Sequence, residues 1–217
     1  MKTRDRILVT SLELFNLCGE PNVTTIDIAN EMDISPGNLY YHFRNKDEII
    51  FELFQAFETA IHEALQSPAE MGLDMMDYWM YVHMIFEKIW EHRFLYRDPA
   101  TILERNERLQ KKFNRILEKK RESALVIVER MRQESMIQIS ATEAERLAIN
   151  ATMTVTYWLN FQHIRHLTAH HEPDDLGLGV YQVMSLFAPY LPVEGREMLE
   201  AVAETYLGST SSSDSFK

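Results

Sequence analysis

Between Gly37 and His42 the chain reads Gly-Asn-Leu-Tyr-Tyr-His, and all of these residues but Leu39 suit contact with an anionic polymer. Gly37 has no side chain, so backbone can approach a phosphate closely. Asn38 carries donors and an acceptor that can meet a base edge or a phosphate. Tyr40, Tyr41 and His42 offer hydroxyl or imidazole donors to phosphate oxygens, contacts that position a protein without reading sequence. Lys46 follows at a helix start, where free N–H groups also favour an anion. Lys2, Arg4 and Arg6 form a basic N-terminal arm that could reach phosphates or an adjacent minor groove.

Short helices must hold these groups. Ile7, Ser11, Leu14 and Cys18 recur at helical spacing, with Leu8, Leu12 and Phe15 alongside. Gly19 caps that helix and Pro21 prevents its resumption. Thr24 is an N-cap, with Asp27 at capping-box spacing. Ile28, Ala29 and Met32 form the inward stripe of the next helix, and Asp33-Ile34 makes the turn. Ser35 caps the following helix, and Pro36 occupies its first position, where the missing N–H costs nothing. Leu39 and Phe43, four apart, face the core, which leaves the polar set outside. Asn45 and Glu48 give a further capping box. Two short helices joined across a tight turn, over residues 24–43, describe a helix-turn-helix.

This stretch resembles the DNA-binding signature of the tetracycline-repressor (TetR) family. The matching residues are Thr24-Thr25, Ile28-Ala29, Ser35, Gly37, Leu39-Tyr40, His42-Phe43 and Lys46. Two positions depart from it. Met32-Asp33 stands where the family usually has Ala-Gly, and Asp tolerates the left-handed backbone of a turn. Pro36 stands where a Lys is frequent, which removes one phosphate contact. The resemblance implies an all-α protein with an N-terminal DNA-binding domain over 1–61. It implies a helical effector-binding and dimerisation domain over 62–207, with a Ser-rich disordered tail over 208–217. Its implied partners are double-stranded operator DNA, a second copy of the chain and a small-molecule effector. Arg4, Thr24, Thr25, Ser35, Pro36, Gly37, Asn38, Tyr40, Tyr41, His42 and Lys46 make up the candidate DNA surface.

Composition agrees with an all-α chain. Helix formers dominate, and glycine and proline number only seven each among 217 residues. The net charge is −11, but residues 1–46 hold five basic and six acidic side chains, so the excess acid lies in the remainder. The motif is no basic patch, and strong non-specific DNA binding is not expected. Cys18 is the only cysteine, which excludes an internal disulfide and a cysteine-based zinc site; its place on the first helix suggests a small buried hydrophobe. The N-terminus leads directly into an amphipathic helix and no long apolar run follows, so a cytoplasmic chain without membrane contact is expected.

Beyond the motif, periodicity predicts helices over about 46–65, 73–91, 106–134, 141–167, 178–190 and 193–207, with a short kinked piece at 93–103 around Pro99. The first of these, with Ile49, Leu53, Ala56 and Ala60 on one face, links the motif to the rest. The 73–91 segment is apolar almost all round and therefore buried on several sides. The 106–134 segment places Leu109, Phe113, Ile116, Ala124, Ile127 and Met131 inside, and its Lys, Arg and Glu in solvent. The aromatics of these helices are core by default. A subset, Trp79, Val82, Phe86, Trp90, Trp158 and Phe161, could line a pocket for a lipophilic or flat ligand. The 141–167 and 178–190 segments each carry two apolar faces, one more than a single core needs. Ala148, Thr152, Val155, Leu159, Val183 and Phe187 are the candidate dimer interface.

His163, His166, His170 and His171, followed by Asp174 and Asp175, have metal-like spacing. Histidines at a helix C-terminus also simply favour its dipole, so no metal or cofactor is expected. His83 and Glu87 read as an intrahelical pair. No nucleophile elbow, zinc-protease, P-loop or dinucleotide signature is present, and no enzymatic activity is expected. The alternatives are an all-α ligand-binding or enzymatic protein that keeps the motif as scaffold, or an effector-free architectural DNA-binding protein.

Overall fold

The computed structural model describes residues 1–66, 74–165 and 176–207. Within them regular structure is helical throughout: α1 (Thr3–Cys18), α2 (Thr25–Glu31), α3 (Pro36–His42), α4 (Lys46–Leu65), α5 (Met75–Glu91), α6 (Phe94–Arg97), α7 (Pro99–Glu104), α8 (Glu107–Gln133), α9 (Ala141–Arg165), α10 (Leu176–Ser185) and α11 (Val193–Leu207). The expected tail, 208–217, lies outside the described residues.

The N-terminal head is built by local punctuation. α1 ends where Gly19 turns left-handed, at φ 84°, and donates its N–H to the Phe15 carbonyl. A single 3₁₀ turn, Glu20–Asn22, carries the chain to Thr24. Thr24 accepts from the Asp27 N–H, while its own N–H and hydroxyl donate to the Asp27 carboxylate, which those bonds hold below its ordinary pKa. Asp33 adopts φ 53°, the left-handed turn residue the sequence calls for, and Ile34 N–H closes onto the Ala29 carbonyl. Ser35 caps α3 by accepting from Asn38 N–H. Ile7, Phe15, Ile28, Ala29, Leu39 and Phe43 are buried together in the head core.

Two details of this region differ from expectation. Cys18 is exposed, because α1 buries the Ile7–Ser11–Phe15 face and its last turn rides outside it. The Glu48 carboxylate takes the N–H of Arg44, while Asn45 caps α4 by accepting from Glu48 N–H.

α4 is a shaft shared by head and body. Ile49 and Leu53 of the expected face are buried, together with Ile50, Phe54, Phe57 and Ile61, whereas Ala56 is exposed. The head is fastened to the body at several points. Asn16 donates to the Glu91 carbonyl and accepts the Phe94 N–H. Glu20 is fully buried between Lys46 on α4 and Arg105, the C-cap residue of α7, each 2.8 Å away. Lys112 on α8 pairs with Glu58 on α4. The expected boundary at residue 61 thus falls inside a continuous helix.

In the body, α8 and α9 pack along their length, and α10 lies against α5 and α9. Gly179 permits that approach. A Cβ there would sit 2.7 Å from Trp158 Cδ1 and 3.0 Å from Phe86 Cζ. Pro99 starts α7 after a one-residue break, which is the predicted kink.

Candidate nucleic-acid interface and internal cavity

α3 presents its polar side to solvent. Ser35, Pro36, Gly37, Asn38, Tyr40 and Tyr41 are exposed, Tyr41 at 84%, and His42 is half-buried. Leu39 and Phe43 underneath are fully buried, so the helix cannot rotate without opening the head core. The Tyr40 hydroxyl hydrogen-bonds the Thr25 hydroxyl at 2.9 Å, tying α3 to the first turn of α2. Thr24 is exposed and Thr25 half-buried beside this surface. The structure therefore gathers the candidate residues from Thr24 to His42 on adjoining helices.

Lys46 and Arg4 are both engaged within the chain. The Lys46 ammonium donates to the carbonyls of Glu20 and Val23, each at 3.0 Å, and pairs with the Glu20 carboxylate. Lys46 is a clasp that holds the 3₁₀ turn against α4, and it positions Thr24 without offering a free charge. Arg4 is no loose arm either, because α1 already begins at Thr3. Its guanidinium pairs with Glu52 and lies 4.7 Å from the centre of the Phe43 ring. Arg44, exposed immediately after α3, is the basic side chain that the sequence reading missed. Its signal was its position, two residues past the end of α3.

The body contains a cavity of about 60 Å³ lined almost wholly by apolar atoms. Tyr78, Tyr81, Val82 and Ile85 of α5, Lys120, Ser123, Ala124, Ile127 and Met131 of α8, Ala151, Thr152 and Val155 of α9, Val183 and Met184 of α10, Phe187 and Leu65 surround it. Of the expected pocket set only Val82 touches it. Trp79 and Phe86 are plain core, and Trp158 is spent against Gly179. Trp90 stacks under Arg93, 4.6 Å from ring centre to guanidinium, at a separate small crevice with His163. Phe161 points outward.

The expected dimer set is also displaced. Thr152, Val155, Val183 and Phe187 line the cavity, and Ala148 and Leu159 are buried within the chain. The outward face of α9 carries Ile149, Met153, Tyr157, Phe161 and Ile164 instead, all exposed and spaced by three or four residues.

His83 and Glu87 form the expected intrahelical pair at 3.5 Å. His166, His170, His171, Asp174 and Asp175 lie outside the described residues. Among the described residues no helix is long and apolar enough to cross a membrane.

A helix-turn-helix head carried on an all-helical body with an internal cavity defines a class of DNA-binding regulators. Two family profiles match the chain: "Bacterial regulatory proteins, tetR family" over residues 7–53 and "Bacterial transcriptional repressor", of the TetR type, over residues 56–199. The chain belongs to the TetR family. It is similar to a crystallised TetR-family transcriptional regulator from Marinobacter aquaeolei VT8, at 37% identity and TM-score 0.84, covering 95% of this chain and 99% of that one. The HTH-type transcriptional regulator QacR of Staphylococcus aureus strain Mu50 is 36% identical over 63 residues, 29% of this chain and 34% of QacR. The alignment thus spans about a third of that curated relative. Mycobacterium smegmatis AmtR shares the fold at 19% identity and TM-score 0.59, over 96% of this chain and 95% of its own.

Proposed function

We propose that the chain is a homodimeric, sequence-specific transcriptional repressor that a small lipophilic effector releases from operator DNA in the bacterial cytoplasm. The exposed polar face of α3, locked by buried Leu39 and Phe43, carries this reading. Tyr41, Tyr40, His42 and Arg44 suit phosphate oxygens, and Asn38 suits a base edge. The family's description as transcriptional repressors supports the sign of regulation.

A dimer follows from the α9 stripe, since five large apolar residues in line are costly to leave in water. Two copies joined there would present two α3 helices to successive major grooves, roughly 34–36 Å apart. Effector control would run through α4. Its last residue, Leu65, lines the cavity, and the Ser123 hydroxyl, also at the cavity, donates to the Leu65 carbonyl. A ligand that shifts Ser123 or Tyr81 acts on the shaft that carries the head. A roughly 100-fold loss of DNA affinity needs about 2.7 kcal/mol of differential binding, and operator DNA must weaken effector binding equally.

The test is a mobility-shift assay with the full chain on DNA upstream of its own coding sequence. A retarded band competed by the same duplex and not by a scrambled one is expected. Equal competition by both would overturn the sequence-specific reading.

A further inference from the structure

The cavity wall carries one ammonium that no carboxylate among the described residues balances. Lys120 lies on the inward stripe of α8, 4% exposed. Its ammonium donates to the Tyr96 hydroxyl at 3.1 Å and to the Thr156 hydroxyl at 3.5 Å, and sits 4.8 Å from the Tyr96 ring centre. All of these partners are neutral. No carboxylate among the described residues pairs with it, whereas Lys46 and Lys112 each have one. The other cavity walls supply no anion: α5 gives the phenols of Tyr78 and Tyr81, α9 gives Thr152, and α10 gives only apolar side chains. Tyr81 is already bonded to Ser123 at 2.6 Å. The Tyr78 hydroxyl is buried and has no hydrogen-bond partner.

An isolated buried ammonium is costly, and a buried donor without an acceptor adds to that cost. Lys120 and Tyr78 both stand in the wall of one apolar cavity, and a ligand whose acidic head reaches their polar ends would relieve both.

We propose that the cavity binds an amphipathic monoanion, an aliphatic chain ending in a carboxylate, with the carboxylate on Lys120 and the chain among Val82, Ile127, Met131, Val183 and Met184. This rests on the effector-controlled reading above and names the chemical class of the effector. Desolvation supports it, lowering the Lys120 pKa to about 7, which an adjacent carboxylate would reverse. The void of about 60 Å³ takes the head and the first carbons. Met131 and Met184 are flexible enough to admit the remainder by changing rotamer.

The probes are decanoate and decanol, each titrated calorimetrically into the purified full chain. Decanoate should bind at least about tenfold more tightly than decanol, the difference a charge-assisted contact makes. Lys120→Met should abolish that preference while decanol still binds. Lys120→Gln, which keeps a polar head of similar reach, should also lose it, and circular dichroism of both variants checks the fold. Equal binding of acid and alcohol, an unchanged preference in folded Lys120→Met, or no binding of either probe would each overturn the proposal. A mobility shift on the upstream DNA, run beside the titration, separates the two ideas. Specific retardation without decanoate preference sinks the ligand class alone, and decanoate preference without specific retardation sinks the regulator reading alone.

Discussion

The head–body junction and the body cavity bury charge in opposite ways. At the junction Glu20 is enclosed with two cations, one facing each carboxylate oxygen, and Lys46 adds hydrogen bonds to two backbone carbonyls. In the cavity Lys120 is enclosed with hydroxyls only. A satisfied ionic cluster is a structural joint. An unsatisfied one is a site that a second molecule can complete. The same contrast holds for apolar surface: the inward side of α9 packs against α8, α10 and α6, while its outward stripe is exposed among the described residues.

The largest effect should come from breaking the joint. Glu20→Ala leaves Lys46 with backbone carbonyls only and Arg105 without its anion. Removing one partner of a buried pair costs about 3–5 kcal/mol, and because Arg105 is partly exposed the lower end is expected. Chemical denaturation of the purified variant measures it. A loss below about 1 kcal/mol would show that the cluster is no more than a surface pair.

The two faces of α9 can be separated next. Met153→Glu should give a folded monomer, with the dimer dissociation constant raised by about 100-fold or more, since a charge would be buried in an apolar seam. Ala148→Glu should instead unfold the body, because Ala148 has no exposed surface. Sedimentation and circular dichroism of the pair decide. A folded, monomeric Ala148→Glu would return the interface to the inner face.

Lys120→Met should stabilise the ligand-free chain, and the sign with pH is fixed. Burial lowers the ammonium pKa from 10.5 to about 7. Between those values the unfolded chain holds more protons than the folded one. The charge therefore penalises folding fully below about pH 7, and the penalty fades as pH rises toward 10.5. The gain from Lys120→Met should be largest below neutrality, on the order of a few kcal/mol, and small near pH 10. Thermal melts across that range test it, and a gain that grows with pH would contradict the assignment.

The smallest effect on the fold should come from α3. Tyr41 is 84% exposed, so Tyr41→Ala should change stability by no more than about 0.5 kcal/mol. It should weaken DNA binding to all sequences and lower the salt slope by roughly 1.

How much of this was legible in the sequence follows from how local each signal is. The head was readable almost residue by residue. Thr24, Ser35 and Asn45 as caps, Asp33 as the left-handed turn and Leu39–Phe43 as the inward pair are all decided within one turn of helix. Lys46 misled because its partner, Glu20, is distant in sequence and the pairing is tertiary. In the body the helices were legible but their orientations were not. α9 is apolar around most of its circumference, so periodicity offers several faces and does not say which meets α8. Lys120 was hidden for the opposite reason. It continues the stripe Leu109, Phe113, Ile116 at helical spacing, with Ser123 next, yet it sits in a run of Lys, Arg and Glu and reads as solvated surface. A lysine in register with a buried stripe was the available clue.

The central claim is that α3 reads operator DNA from this fold. The direct measurement is fluorescence anisotropy of the full-length protein on a labelled duplex from its own upstream DNA, titrated at several salt concentrations beside a scrambled duplex. Specific binding at least about 10³-fold tighter than non-specific binding is expected at physiological salt. A steep linear fall of log affinity with log salt is also expected, shallower by roughly 1 in Tyr41→Ala. Equal affinity for both duplexes, with a slope unchanged by Tyr41→Ala, would contradict it.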